Sequence, residues 1–312
     1  LTKAVVGHTL ESVGIGGKGR ILVADDQDSF RALISRMLAK EGFDPIEAKD
    51  GTSAIELYRT LKPSVVISDI IMPRMDGFAL LKEIKKADPN AAVILITGHG
   101  NEEILLKALR GGATNFFKKP FTLHSLLGEI EKILRYNREA LHGSVFTPFL
   151  VDESKSFAFR TADPEYSAII NQISLQLPCL LPESEILNLK MGIEEMISNA
   201  IEHGNLGISY TEKNEAISEG KLGELLTERL SRDGNGEKKV IVSSKLTLDC
   251  FRVTIRDEGK GFDWRNLPDL LPENLLTYSG RGIFMTKIYY DEVLYNERGN
   301  EVTLVKRKKD RP

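Results

Sequence analysis

The stretch VVISDIIMPRMDGFALLKEIK, residues 65 to 85, runs an unbroken apolar segment into an aspartate, then a turn carrying proline and glycine, then an amphipathic pattern. An apolar run closed by turn residues and followed by a 3.6-residue period reads as a buried strand feeding a helix. The same unit recurs on both sides. Apolar runs stand at 20 to 24 (RILVA), 43 to 48 (FDPIEA), 64 to 69 (SVVISD), 92 to 97 (AVILIT) and 113 to 117 (ATNFF). Amphipathic segments follow them at 28 to 41, 51 to 61, 76 to 87, 101 to 110 and 122 to 138. This alternation predicts an α/β domain with a doubly wound, five-stranded parallel sheet, whose chemistry sits at the carboxyl ends of the strands.

Those ends carry Asp25 and Asp26 after the first run, Asp69 at the third, Thr97 at the fourth and Lys119-Pro120 after the fifth. Three carboxylates on one edge repel one another unless a divalent cation neutralises them, and hard oxygen ligands suit Mg²⁺. A lysine and a hydroxyl opposite them are what a transferred phosphoryl group needs around its oxygens. Each residue alone also fits a structural role at a strand end; their recurrence on consecutive strands favours a site.

Residues 20 to 138 resemble the response-regulator receiver domain of two-component signalling, through ILVADDQDSFR, VVISDIIMPRMDGFALLKEIK, VILITGHG and ATNFFKKPF. The resemblance implies a flavodoxin-like fold with Asp69 as phosphoacceptor for an upstream sensor histidine kinase. It also implies Mg²⁺ held by Asp25, Asp26, Asp69 and the backbone carbonyl of Ile71. Thr97 and Lys119 would contact the phosphoryl group and Phe116 would be the aromatic switch. Lys119, directly before the proline, matches the family position rather than Lys118, usually across a cis bond. Gly98 stands where a small residue gives the phosphoryl group access.

In the second half, GIEEMISNAIEHG (192 to 204) places Glu195, Asn199 and His203 four residues apart on one helical stripe, with Ile193, Met196, Ile197 and Ala200 on the core side. Taken alone, such a stripe is also an ordinary solvated face. Strands are expected at 156 to 160 and in two hairpins, KVIVSSKLTLDCFRVTIRDEG turning near Asp249 and DEVLYNERGNEVTLVKRK turning at Arg298-Gly299-Asn300. Helices are expected at 164 to 177 and 183 to 204. The polar stretch 205 to 237 reads as a charged excursion with one helix. Helices followed by antiparallel strands predict a two-layer α+β sandwich.

Two glycine-rich spots follow the stripe in sequence. At DEGKG (257 to 261), Asp257 stands ready to accept a hydrogen bond from an exocyclic amine, while Gly259 and Gly261 let backbone approach a flat base. SGRGIFMTK (279 to 287) opens a helix whose free N–H groups suit phosphates beside Arg281. Residues 150 to 308 thus resemble the GHKL (Bergerat) ATPase superfamily, with EEMISNAIEHGN, RDEGKGF and SGRGIFM as its N, G1 and G2 boxes. Within it the likeness is to bacterial anti-sigma-factor serine kinases. By this resemblance Asn199 holds Mg²⁺ on ATP, Glu195 is a general base and Asp257 reads the adenine amino group. Gly280, Arg281 and Gly282 meet the phosphates, and His203, given no catalytic role, contacts the helix end near Gly204.

The expected layout is a flexible leader or cloning remnant at 1 to 18, a receiver at 19 to 138, a linker at 139 to 150 and the ATPase domain at 151 to 309 with the insertion 205 to 237. His142 is read as linker; Gly143 and Pro148 after it do not fit the helical hairpin of a histidine phosphoacceptor. A net charge of -3 over 312 residues gives no electrostatic case for nucleic acid or a membrane surface. The apolar runs are too short to span a bilayer, and Cys179 and Cys250 lack metal-ligand spacing and suit free thiols in a reducing cytoplasm. The expected function is a receiver-controlled serine/threonine kinase using Mg²⁺ and ATP on an anti-sigma-factor antagonist, with a sigma factor as a further partner. A non-catalytic ATP-binding module that sequesters its partner, or an atypical histidine kinase, are the alternatives. The helix continuing past residue 130 is compatible with a homodimer.

Overall fold

In the computed structural model, residues 18–98, 102–141, 150–163, 165–232, 234–262, 264 and 281–308 are described. The chain divides into two units between Leu134 and Arg135. The leader before residue 18, His142 with the rest of 142–149, and Gly280 lie outside the described residues.

The first unit alternates β1 (Arg20–Ala24), α1 (Asp28–Lys40), β2 (Asp44–Ala48), α2 (Gly51–Leu61), β3 (Val65–Asp69), α3 (Gly77–Ala87), β4 (Ala92–Thr97), α4 (Glu102–Arg110) and β5 (Asn115–Lys118). Helix α5 (Leu123–Leu141) starts in this unit. The strands form a parallel sheet in the order β2-β1-β3-β4-β5. Every residue of β3 and β4 is buried, as a strand covered by helices on both faces must be. Side-chain caps start the helices cleanly: Asp50 accepts the Ser53 N–H at 2.8 Å and Asp76 the Ala79 N–H at 2.7 Å, each satisfying an N–H that the first turn leaves free. The doubly wound expectation holds, with strand limits moved by a residue or two.

The second unit carries β6 (Asp152–Arg160), α6 (Ser167–Ser174), α7 (Glu183–Asn199), α8 (Tyr210–Ser218), α9 (Leu222–Ser231), β7 (Lys239–Thr247), β8 (Cys250–Asp257), α10 (Arg281–Tyr289), β9 (Glu292–Tyr295) and β10 (Glu301–Arg307). Its sheet runs β6-β7-β8-β10-β9 with all neighbours antiparallel. One face buries Val240, Val242, Phe251, Val253, Ile255 and Leu304; the other carries polar side chains, the pattern of a sheet covered on one side.

Four local expectations are corrected. Strand β6 begins at Asp152 rather than 156, because its polar first half still pairs with β7 from Asp152↔Thr247 onward. The helix expected to Leu177 stops at Ser174 and continues as a 3₁₀ turn at Leu177–Cys179, where Pro178 has no N–H to extend an α-helix. The helix expected to 204 is α-helical only to Asn199, and Ala200–Asn205 form a π turn in which Leu206 N–H reaches Ile201 O, five residues back, at 2.9 Å. The insertion holds two helices rather than one. Ser209 and Glu212 form a reciprocal capping box at the start of α8, and Arg229 of α9 binds Gly207 O at 3.1 Å and the Glu212 carboxylate.

Candidate functional site

In the first unit, strand order alone brings the ends of β1, β3 and β5 to one edge. Lys119 Nζ donates to Asp69 Oδ2 at 2.8 Å and to Asp25 Oδ2 at 2.9 Å, and lies 3.8 Å from the Phe30 ring centroid. Asp25 also accepts the Gln27 N–H at 2.8 Å, and Asp69 Oδ1 accepts the Ile71 N–H at 3.1 Å. Burial raises the Asp25 carboxyl above its ordinary range, opposed by its hydrogen bonds to Lys119 and Gln27. Burial alone would lower Lys119, but its bonds to Asp69 and Asp25 outweigh that and raise it, so it stays a cation.

Asp25, Asp26 and Asp69 each offer an oxygen within 4.8 Å of the others, Asp26 from the exposed side. Three hard donors, one open to water, fit Mg²⁺. The ion would offset the negative charge that Lys119 only partly balances. Thr97 closes β4 and is buried, and Lys119 N–H bonds its carbonyl at 2.7 Å. Phe116 is 1% exposed, turned into the core. The Lys119-Pro120 bond is cis. A Cβ at Gly98 would meet nothing within 4 Å, whereas one at Gly77 would come 2.3 Å from Asp69 O. Gly77 is therefore what lets the start of α3 press on the Asp69 backbone.

In the second unit, Ile193, Met196, Ile197 and Ala200 are buried while Glu195 and Asn199 stand half-buried on the other side of α7, as the stripe requires. A Cβ at Gly282 would sit 2.0 Å from Glu195 Oε1. The Glu195 carboxylate thus lies on the first turn of α10, where free N–H groups and the helix dipole favour an anion. The side chain of Arg281 lies outside the described residues.

Asp257 ends β8 at 8% exposure, and its Oδ1 accepts the Gly259 N–H at 2.8 Å. Three glycines let neighbouring segments close on this carboxylate. A Cβ would come 2.5 Å from Asp257 Cγ at Gly204, 2.2 Å from Gly204 O at Gly259, and 1.9 Å from Arg298 O at Gly261, where φ is +77°. Glycine at these positions lets the Asp257 loop, the π turn and the Arg298 turn pack backbone to backbone around the Asp257 carboxylate.

Burial lifts the Asp257 carboxyl to about 6. A folded-state value above the unfolded one means the folded chain binds the extra proton. The group's contribution is therefore fully favourable below about pH 4 and is lost as pH rises through about 6, costing about 3 kcal/mol when charged. Asp257→Asn should raise the melting temperature of the second unit at pH 8 and leave it unchanged at pH 4; calorimetry at both pH values checks this.

Three supporting residues carried no sequence signal for their roles. Asn205, 1% exposed, donates to Thr161 Oγ1 (2.8 Å) and Lys239 O (3.1 Å) and accepts the Glu258 N–H (2.9 Å), tying the π turn to the Asp257 loop. Asn300 Nδ2 donates to Asp257 O at 2.8 Å. Glu194, beside Glu195, is buried and held by Arg135 Nη2 at 2.6 Å and the Tyr136 hydroxyl at 3.0 Å. His203, held neutral by burial, donates from Nδ1 to Ile208 O at 2.5 Å and lies on the Tyr210 ring at 4.1 Å. It ties down the segment after the π turn.

The first unit thus gathers carboxylates and a lysine at one sheet edge, and the second sets glycines around Asp257 and the Glu195 carboxylate against the first turn of a helix. Residues 21–131 match the family model of the response regulator receiver domain, and residues 161–306 that of the histidine kinase-like ATPase domain. The first half is similar to chemotaxis protein CheY of Bacillus subtilis (strain 168), 40% identical over 116 residues that cover 37% of this chain and 97% of that protein. CheY of Thermotoga maritima is 36% identical, covering 36% and 96%. Among solved structures, the receiver domain of NtrX from Brucella abortus is 40% identical, covering 37% and 98% with a TM-score of 0.36. The chain belongs to the response-regulator family, and its receiver is linked to a histidine kinase-like ATPase domain. Among the described residues no helix is long and apolar enough to cross a membrane.

Proposed function

We propose that this protein is a serine/threonine protein kinase controlled by phosphorylation of its receiver at Asp69, acting on an antagonist protein of the anti-sigma-factor system in the cytoplasm. Support comes chiefly from the position of Glu195, whose carboxylate lies on the first turn of α10 against Gly282. Nucleotide binding alone needs Asn199, Asp257 and the glycines; a carboxylate at the phosphate end adds a base. ATP with Mg²⁺ would supply the γ-phosphoryl group. Asn199 would hold the metal, Asp257 accept from the adenine amine, and Glu195 take the proton of the serine or threonine hydroxyl as its oxygen bonds to phosphorus and ADP leaves. The receiver would take its phosphoryl group from a sensor histidine kinase.

Transfer of radiolabel from γ-labelled ATP to candidate antagonist proteins tests this, with and without acetyl phosphate. Wild type should produce acid-stable phosphoserine or phosphothreonine at a rate that changes with Asp69 loading. Glu195→Gln should lower that rate about 100-fold while ATP affinity stays within about twofold. A labelling rate in the variant equal to that of wild type overturns the role of Glu195. The same contact with Gly282 also favours a second reading, in which the carboxylate fills the helix end and ATP binding only orders a partner-sequestering surface. Tight ATP binding with no labelled protein in either receiver state would select it.

A further inference from the structure

The outer face of the second sheet carries an arrangement that the nucleotide site does not use. Lys245 of β7 and Arg252 of β8 are direct cross-strand partners. Like charges placed opposite one another destabilise a sheet. Both are exposed, and neither side chain has a hydrogen bond or ion pair among the described residues. Arg160 pairs with Asp163 and Glu237, Arg307 with Glu292 and Lys155 with Glu153. Lys239 and Arg256 also stand without an ion pair among the described residues, but neither borders the concavity beside Lys245 and Arg252.

The next rung along the strands is a row of hydroxyls. Ser156, Ser243, Thr254 and Thr303 are successive register partners, with 3.0 Å hydrogen bonds between Ser156 and Ser243 and between Thr254 and Thr303. Ser154, Ser156, Ser243, Thr254, Lys245 and Arg252 border a concavity of about 380 Å³ whose lining contains no carboxylate.

We propose that this face is a docking surface for an acidic segment of a partner protein, whose aspartate or glutamate side chains take Lys245 and Arg252 while the hydroxyl row bonds their free oxygens. Charge complementarity favours this occupant over nucleic acid. At the concavity Lys245 and Arg252 face each other across one rung rather than following a strand as a phosphate backbone would need, and no aromatic ring lines it to stack a base. The surface keeps a repulsive pair that costs stability, which is the expected signature of a site completed by an anion from outside.

Fluorescence anisotropy of labelled hexaglutamate on the full chain at low salt tests the assignment. Wild type should bind, with affinity falling as salt rises. Lys245→Glu and Arg252→Glu should each weaken binding about tenfold or more, whereas Arg160→Gln, elsewhere on the same face, should change it less than about twofold. Lys245→Glu turns a repulsive cross-strand pair into an attractive one, so its melting temperature should rise by about 1–3 °C. That rise separates lost docking from lost folding. Equal binding by wild type and both charge variants, absence of binding at low salt, or tighter binding of a hexathymidylate than of hexaglutamate would overturn the proposal.

Discussion

Asp69→Asn should abolish the uptake of a phosphoryl group from acetyl phosphate, read as the loss of one phosphoryl mass by intact-protein mass spectrometry. The reaction needs an anionic oxygen that attacks phosphorus as acetate leaves, and an amide oxygen is far too weak a nucleophile to replace it. Asp25 cannot substitute. It is 2% exposed and holds Lys119 through Oδ2 and the Gln27 N–H through Oδ1. Asp26 lies on the exposed side of the cluster, without the Lys119 contact. The substitution is nearly isosteric, and the amide oxygen it introduces can still accept the Ile71 N–H, so the melting temperature of the first unit should change little. Lys119 retains Asp25. A variant that folds as wild type does yet still takes up phosphate would show that the phosphoacceptor is another residue.

The placement of the receiver edge was readable because a doubly wound sheet puts strand ends in one place. Asp25, Asp69, Thr97 and Lys119 therefore announced themselves by position in a period. The glycine cradle was readable as a motif but not as geometry. That Gly259 must face Gly204, and Gly282 must face Glu195, is a matter of contacts between segments distant in sequence, and no local pattern encodes which backbone atoms meet.

Burial of Glu194 was illegible for a related reason. Adjacent carboxylates at 194 and 195 look alike in the sequence, and only Arg135 and Tyr136 decide that the first is enclosed. The two insertion helices α8 and α9 bury no residue, so their apolar period is faint. The S-x-x-E signature at Ser209 and Glu212 was nevertheless present, and capping chemistry marks the start of α8 better than hydrophobicity does. The polar half of β6 had no alternation to show, since register with β7 holds it in the sheet.

The glycine cradle sets the second large expectation. Gly259→Ala should lower the melting temperature of the second unit by about 10 °C and weaken ATP binding more than about 100-fold, while the first unit melts and takes up phosphate as before. An alanine Cβ would stand 2.2 Å from Gly204 O, 2.5 Å from Gly204 C and 2.7 Å from Asp257 Oδ1. Two of these are backbone atoms, so no flexible side-chain end can swing away. Nor can the backbone on that side yield freely, because Asn205 fastens the π turn to Thr161, to the Lys239 carbonyl and to the Glu258 N–H.

Relief therefore requires moving the loop away from Asp257, breaking the 2.8 Å bond from the Gly259 N–H and leaving a buried carboxylate without its donor. Overpacking of this kind together with a lost bond to a charged group costs about 3 kcal/mol or more, a large fraction of a domain's total stability. Gly223→Ala is the matched control. Its Cβ would meet nothing within 4 Å inside helix α9, where alanine is the better helix former, so stability should hold or rise. If Gly259→Ala binds a fluorescent ATP analogue as tightly as Gly223→Ala does, the Asp257 pocket is not where the base is read. If both variants lose binding, the effect is not the local collision at Gly204.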